Sequence, residues 1–115
     1  GRQSRCFCNV ADTVAAVIAL LRAPDCVGHV FNIGSTEEIT ILDLARKILT
    51  LTDRDPTETI LIPYDQAYEP GFEDMRRRVP DIAKIGRTVG WEPTIALGET
   101  LRQVIAYEKN QRMEE

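Results

Sequence analysis

The 115-residue sequence has no apolar run long enough to cross a bilayer. Its longest run covers residues 14–21, whereas a transmembrane helix needs about 20 apolar residues. A charged start followed by an apolar stretch and a cleavage site is also absent, so no secretory signal is visible. We therefore expect no membrane association. Because the chain begins with Gly1 rather than Met, we interpret it as a processed, tagged or excised segment.

Cysteine is scarce, and the three residues are Cys6, Cys8 and Cys26. This small, odd number excludes a disulfide framework and indicates reduced thiols, so we expect a cytoplasmic protein. Together with His29 the cysteines offer potential zinc ligands, but a Cys-x-Cys spacing does not fit a zinc knuckle. We predict that the cysteines pack as small hydrophobic residues and that no metal binds.

An excess of positive charge is missing as well, since 14 Lys and Arg face 18 Asp and Glu, a net charge of −4. This argues against a general nucleic-acid binder, which carries a broad basic face. Positive charge is nevertheless concentrated at residues 76–78, three consecutive arginines, and at Arg5. Guanidinium groups suit phosphate oxygens, so these residues could form a local anion site. Alternatively, the arginines form a solvated ion network with nearby acids, namely Glu69, Glu73 and Asp74.

Several catalytic motifs are absent. The sequence has no G-x-G-x-x-G loop, no P-loop and no G-x-S-x-G nucleophile motif. Its single histidine, His29, falls in a run that we expect to be a buried strand, without a partner for acid–base chemistry. We therefore predict no catalytic residue and no cofactor-binding residue in this chain.

Local patterns predict alternating strands and helices. Runs of β-type residues predict short strands over 5–10, 29–33 and 59–62. Asp12 is placed as the N-cap of a first helix over residues 13–22, which is apolar on all sides. Such a helix is expected to be buried on more than one side.

Three further helices follow from capping signals and apolar spacing. Thr40 and Asp43 resemble a capping box at the start of the second helix. Pro80 fits the first turn of a third helix, which Gly90 ends. A last amphipathic helix begins at Leu97.

The order of elements predicts an α/β fold with parallel strand pairing, few short strands and four helices. A long irregular loop over residues 63–79 is expected to be functional. So small a sheet has edges that need covering. We therefore expect either a piece of a larger α/β protein or a chain that dimerises through these surfaces.

Three stretches together resemble the extended short-chain dehydrogenase/reductases that act on nucleotide sugars. "GRQSRCFCNVADTVAAVIALL" is similar to their Gly-x-x-x-Arg-x-aromatic segment and the helix after it. "HVFNIGSTEEITILDLARKI" resembles the next strand, turn and helix. "RRRVPDIAKIGRTVGWEPTIALGETLRQVIAYE" is similar to their closing Arg-x-Pro-Asp, Gly-Trp-x-Pro and helix pattern. Within the family, UDP-glucuronate decarboxylases and related UDP-sugar epimerases and dehydratases are the most similar.

The resemblance implies a nucleotide-sugar site. Arg5 matches an arginine that binds the pyrophosphate, and Arg78 matches a second arginine that reaches the phosphates. Gln3 matches a position lining the nucleotide pocket, and Phe7 an aromatic position beside the substrate. Asp12 matches a recurrent position that we interpret as structural.

The resemblance also implies what this segment lacks. The family's glycine-rich cofactor loop and Tyr-x-x-x-Lys pair do not occur here. We therefore expect residues 1–115 to be a single substrate-binding, C-terminal region of an extended Rossmann-type enzyme that lacks its dinucleotide-binding half. NAD, the N-terminal half and a homodimer belong to the expected full-length enzyme, and the fragment alone is expected to be inactive. The alternative is a stand-alone, non-catalytic binding or dimerisation module.

Overall fold

The computed structural model of the chain describes residues 1–63, 66 and 75–114. These residues belong to two compact units, and we describe each by itself. The first unit comprises Gly1–Arg5 and Ile39–Arg78, and the second comprises Cys6–Glu38 and the chain from Val79 onward. The irregular loop predicted over residues 63–79 lies largely outside the described residues.

The strands in the described part are few and short. β1 (Ser4–Cys6) and β2 (Glu38–Thr40) form a two-stranded sheet. The strand predicted over 5–10 is therefore shifted and shortened. The predicted strands over 29–33 and 59–62 are wrong, because neither segment forms a ladder with another strand among the described residues.

The segment 29–33 shows why a β-type sequence did not become a strand. Its backbone is tied to the rest of the second unit by side chains: Lys84 Nζ donates to the Val30 carbonyl at 2.9 Å. The Asn32 side chain in turn donates to the Asp81 carbonyl at 3.2 Å. A strand needs backbone partners in a neighbouring strand, and the described residues supply none to this segment.

α1 (Val10–Arg22) begins three residues before the predicted start. Its N-cap is Asn9, whose side-chain oxygen accepts a hydrogen bond from the Ala11 amide at 2.9 Å. The prediction that Asp12 caps the helix is wrong, since Asp12 lies in the first turn and its carboxylate binds elsewhere. A short 3-10 helix, Pro24–Cys26, follows α1.

α2 (Ile41–Leu51) confirms the capping prediction. Thr40 Oγ1 accepts a hydrogen bond from the Asp43 amide at 3.1 Å and donates to the Asp43 carboxylate at 2.7 Å. The first turn of α2 is therefore fixed by both residues of the predicted box.

α3 (Ala83–Val89) and α4 (Leu97–Glu114) complete the described elements. α3 begins later than the predicted Pro80, because the Asp81 carboxylate accepts from the Ala83 amide at 2.9 Å and sets the first turn there. Gly90 ends it as predicted, in the left-handed region with φ 68°. The predicted start of α4 at Leu97 is confirmed.

The core of the second unit lies where α1 meets α3 and the chain after it. Ala16, Ile85 and Trp91 form its buried cluster, and partly buried apolar side chains such as Phe31 and Ile33 pack against it.

The expectation that α1 is buried on more than one side is wrong for the described residues. Its opposite face is exposed at i, i+4, i+7 and i+11, namely at Val10, Val14, Val17 and Leu21. No helix in the described part of the chain is both long and apolar enough to span a membrane.

Candidate functional site

The first unit brings β1 next to the arginine-rich segment. The Ser4 amide donates to the Arg76 carbonyl at 2.9 Å, and Ser4 and Arg77 form an isolated parallel bridge. Arg5 directly follows Ser4 and Arg78 directly follows Arg77, so the backbones of the two arginines that the sequence singled out lie close together in this unit.

The Arg5 side chain is half-buried and makes two short hydrogen bonds. Its Nη1 donates to the carbonyl of Ser4 at 2.7 Å and to the carbonyl of Met75 at 2.8 Å. These distances are in the range of charge-assisted hydrogen bonds. Met75 was not singled out from the sequence, because its contribution is a backbone carbonyl that no side-chain pattern reveals.

Arg78 differs from Arg5 in its surroundings. It is exposed, and its side chain has no hydrogen bond or ion pair within the described residues. Such a guanidinium group can rotate toward a ligand without breaking a hydrogen bond or ion pair to the described residues. The side chains that would neutralise the arginine cluster in the alternative interpretation, Glu69, Glu73 and Asp74, lie outside the described residues.

Gln3 and Phe7 belong to different units. Gln3 is half-buried in the first unit, two residues before Arg5, and its carbonyl accepts from the Ile41 amide at 3.0 Å. Phe7 is half-buried in the second unit, directly after β1. Of the four predicted site residues, Gln3, Arg5 and Arg78 therefore share one unit.

Asp12 is the most constrained acid of the second unit, with 6% of its surface exposed. Its Oδ2 accepts from the amides of Thr94 at 3.0 Å and Ile95 at 2.9 Å, and its Oδ1 accepts from the Thr94 hydroxyl at 2.9 Å. Burial alone would raise the pKa of Asp12, but the hydrogen bonds from Ile95 and Thr94 outweigh it and lower the pKa below its ordinary value. The sole tryptophan, Trp91, donates to the Asp12 carbonyl at 3.0 Å. Asp12 thus joins α1 to the turn before α4, a structural role.

The cysteines and His29 do not assemble a metal site. Within the described ranges, no group of three or more His, Cys, Asp or Glu side chains is placed to hold an ion. Cys26 is buried and Cys8 packs against the core cluster, as predicted, and none of the three cysteines forms a disulfide. His29 is exposed, so the expectation that it lies in a buried strand is wrong.

Comparison with known proteins identifies the family. The sequence profile described as GDP-mannose 4,6 dehydratase matches residues 1–104. The chain belongs to this family. Among curated relatives of the GDP-mannose 4,6 dehydratase family, the UDP-N-acetyl-alpha-D-glucosaminuronate decarboxylase of Bacillus cytotoxicus is 32% identical over 107 residues, covering 93% of this chain and 33% of the relative.

Solved structures of the family agree with this assignment. The UDP-glucose 4-epimerase of Thermotoga maritima, determined with UDP-glucose, superposes with a TM-score of 0.82 at 27% identity, covering 96% of this chain and 33% of the epimerase. The dTDP-glucose 4,6-dehydratase of Bacillus anthracis, determined with NAD, gives a TM-score of 0.81 at 25% identity, with 97% and 33% covered.

These matches confirm the predicted fold class. The chain has the α/β fold of part of an extended Rossmann-type short-chain dehydrogenase/reductase, with few short strands and four helices among its described residues. It spans about a third of the length of the relatives it matches.

Proposed function

We propose that this chain is the nucleotide-sugar-binding, C-terminal portion of an NAD-dependent epimerase, dehydratase or decarboxylase, with a UDP-sugar as the substrate. Arg5 and Arg78 bind the pyrophosphate, Gln3 lines the nucleotide pocket and Phe7 lies beside the substrate. The choice of a uridine nucleotide is supported by relatives whose names carry UDP-sugars. The whole enzyme is an isomerase or a lyase of the cytoplasm, consistent with three cysteines that form no disulfide.

The observation that carries this proposal is the register between β1 and the arginine-rich segment. The parallel bridge between Ser4 and Arg77 brings the backbones of Arg5 and Arg78 close together in one unit. Two guanidinium groups carried by neighbouring backbone segments suit the two charged groups of a pyrophosphate, and each can donate a pair of parallel hydrogen bonds. The overall charge of the chain, −4, does not attract an anion, whereas two arginines provide positive charge locally.

The chemical step is assigned to the remainder of the full-length enzyme. NAD, when bound there, accepts a hydride from the sugar and returns it to the sugar. The residues of this chain do not fit NAD, because the sequence has no glycine-rich loop of the dinucleotide type and no Tyr-x-x-x-Lys pair. The role of this chain is therefore to hold and orient the diphosphate, and we expect no turnover of a UDP-sugar with added NAD by residues 1–115 alone. Measured turnover would contradict this assignment.

The binding claim is tested by calorimetric titration of the chain with UDP. Replacing Arg78 by Ala removes a charged hydrogen-bond donor from the pyrophosphate, which costs about 1.5–3 kcal/mol, roughly a 10- to 100-fold loss of affinity. A matched control is Arg46→Ala, an exposed arginine of α2 in the same unit, 3.6 Å from Asp43. We expect the control to bind UDP like the wild type. Equal affinities of wild type and the Arg78 variant would remove Arg78 from the site.

A second candidate function is a stand-alone binding or dimerisation module. The exposed apolar face of α1 supports it, since Val10 and Leu21 at its two ends are 74% and 81% exposed. The same face is also what a portion of a larger enzyme would bury against the rest of that enzyme. Sedimentation equilibrium separates these cases. A dimer at micromolar concentration that Val14→Glu dissociates supports the module, whereas a monomer with this face exposed supports the portion of a larger enzyme.

A further inference from the structure

The segment that carries Arg78, residues 75–78, pairs with β1 over very few residues. Residues 75–78 are exposed, and their pairing with β1 is an isolated bridge rather than a ladder. One backbone hydrogen bond of this pairing runs from the Ser4 amide to the Arg76 carbonyl, at 2.9 Å. A segment paired through an isolated bridge opens more readily than a strand paired through a ladder.

The Arg5 side chain supplies a second attachment. Its Nη1 lies between two carbonyl oxygens, that of Ser4 on β1 at 2.7 Å and that of Met75 on the segment at 2.8 Å. Arg5 and Met75 are 70 positions apart in the sequence. Because the donor is a cation, both hydrogen bonds are stronger than a bond between neutral groups. The guanidinium group therefore links the segment to the strand at the end away from Arg78.

We propose that Arg5 is a positioning residue for Arg78, in addition to its own place in the anion site. By linking residue 75 to β1, Arg5 holds the following residues in register, so that the backbone of Arg78 stays close to β1 before any ligand binds. Fixing the segment in advance removes an ordering cost from ligand binding. The inference rests on the proposed function only in taking Arg78 as a phosphate ligand. The attachment itself concerns the free protein.

The first test measures amide hydrogen exchange by NMR in the ligand-free chain. Replacing Arg5 by Met keeps an apolar stem but removes the donors, and we expect the Ser4 amide to exchange at least about tenfold faster. The matched control is Arg2→Met, which removes the same charge three positions away at an exposed residue and leaves the Ser4 amide unchanged. The Trp91 indole reports that the second unit remains folded and keeps its protection in both variants. An unchanged Ser4 amide in the Arg5 variant overturns the proposal.

A second measurement needs no variant and covers the case in which Arg5→Met does not fold. In the wild-type chain, the Nη protons of Arg5 are expected to show hindered rotation and slow solvent exchange, because Nη1 is bound to two carbonyls. The exposed Arg2 serves as the reference for a freely rotating guanidinium group. Equal behaviour of Arg5 and Arg2 contradicts the attachment.

The third measurement separates the positioning role from the proposed function. UDP affinity is measured for Arg5→Met, Arg78→Ala and the double variant. If Arg5 acts through the segment that carries Arg78, the double variant loses less affinity than the product of the two single losses, each of which is at least about tenfold. Losses that multiply fully overturn the positioning role. If the wild-type chain binds no UDP, the proposed function fails, while the exchange of the Ser4 amide still decides the role of Arg5.

Discussion

Replacing Asp12 by Ala should strongly destabilise the second unit. The carboxylate is nearly inaccessible, and it accepts three hydrogen bonds from Thr94 and Ile95, which are more than 80 positions away in the sequence. Through them, α1 is joined to the turn that leads into α4. In the variant, the amide protons at this turn lose their acceptor, and the alanine side chain offers no oxygen to replace the carboxylate.

The size of the effect follows from how accessible the partners are. Thr94 is exposed, so water can replace the carboxylate at its hydroxyl group. The two amide bonds to the charged group are then counted at about 1.5 kcal/mol each, so the free energy of unfolding falls by about 3 kcal/mol. With a denaturant dependence of about 1.5 kcal/mol/M in urea, this moves the unfolding midpoint by about 2 M.

Urea unfolding followed by the fluorescence of the sole tryptophan measures this directly, because the buried Trp91 donates to the Asp12 carbonyl. Asp25→Ala is the matched control, since Asp25 is an exposed acid in the 3-10 helix. We expect the control to unfold within about 0.5 M of the wild type, as surface substitutions usually do. A midpoint for Asp12→Ala that is equally close to the wild type would refute the structural role of Asp12.

Three further predictions concern pH and the helix ends. The pKa of Asp12 is lowered in the folded chain, so its ionised carboxylate contributes fully only well above the pKa of an unfolded aspartate, about 4, and the contribution is lost as the pH falls through the lower folded pKa. The stability advantage of wild type over Asp12→Asn in urea titrations should therefore shrink as the pH falls below about 5, and an advantage independent of pH would contradict this. Gly90→Ala should lower the free energy of unfolding by about 1 kcal/mol, because the φ of Gly90 is 68°. Gly86→Ala inside α3 should raise it by about 0.5–1 kcal/mol, because a Cβ there would have only an ordinary contact at 3.7 Å. Urea midpoints that move in the same direction for both variants would contradict this pair of predictions. Thr40→Ala should weaken α2 by about 1 kcal/mol, seen as faster exchange of the Asp43 amide, and unchanged exchange would show that the cap is unimportant.

The parts of the fold that the sequence predicted correctly depend on neighbouring residues. The cap at Thr40 and Asp43 and the helix stop at Gly90 are interactions within one turn, so local residue types suffice to find them. The start of α4 at Leu97 is likewise visible in the spacing of its apolar residues.

The incorrect predictions depend on contacts between distant residues. Asn9 and Asp12 are both good N-cap types, and the sequence does not show that Thr94 and Ile95 bind the Asp12 carboxylate, which leaves Asn9 as the cap. The β-type segments 29–33 and 59–62 have strand composition, but a strand also requires a partner. In the same way, the resemblance to nucleotide-sugar enzymes singled out Arg5 and Arg78, while the bond from Arg5 to the Met75 carbonyl could be found only in the structure.

The central claim is that the paired arginines of the first unit bind the diphosphate of a nucleotide sugar. Titration of the isotope-labelled chain with UDP, and in parallel with uridine, tests it most directly, because the two ligands differ only in the phosphates. We expect UDP to shift the backbone amide resonances of Arg5 and Arg78 in a saturable manner, while uridine leaves them almost unchanged. Equal shifts with uridine, or no shift with UDP at millimolar concentration, would contradict the claim.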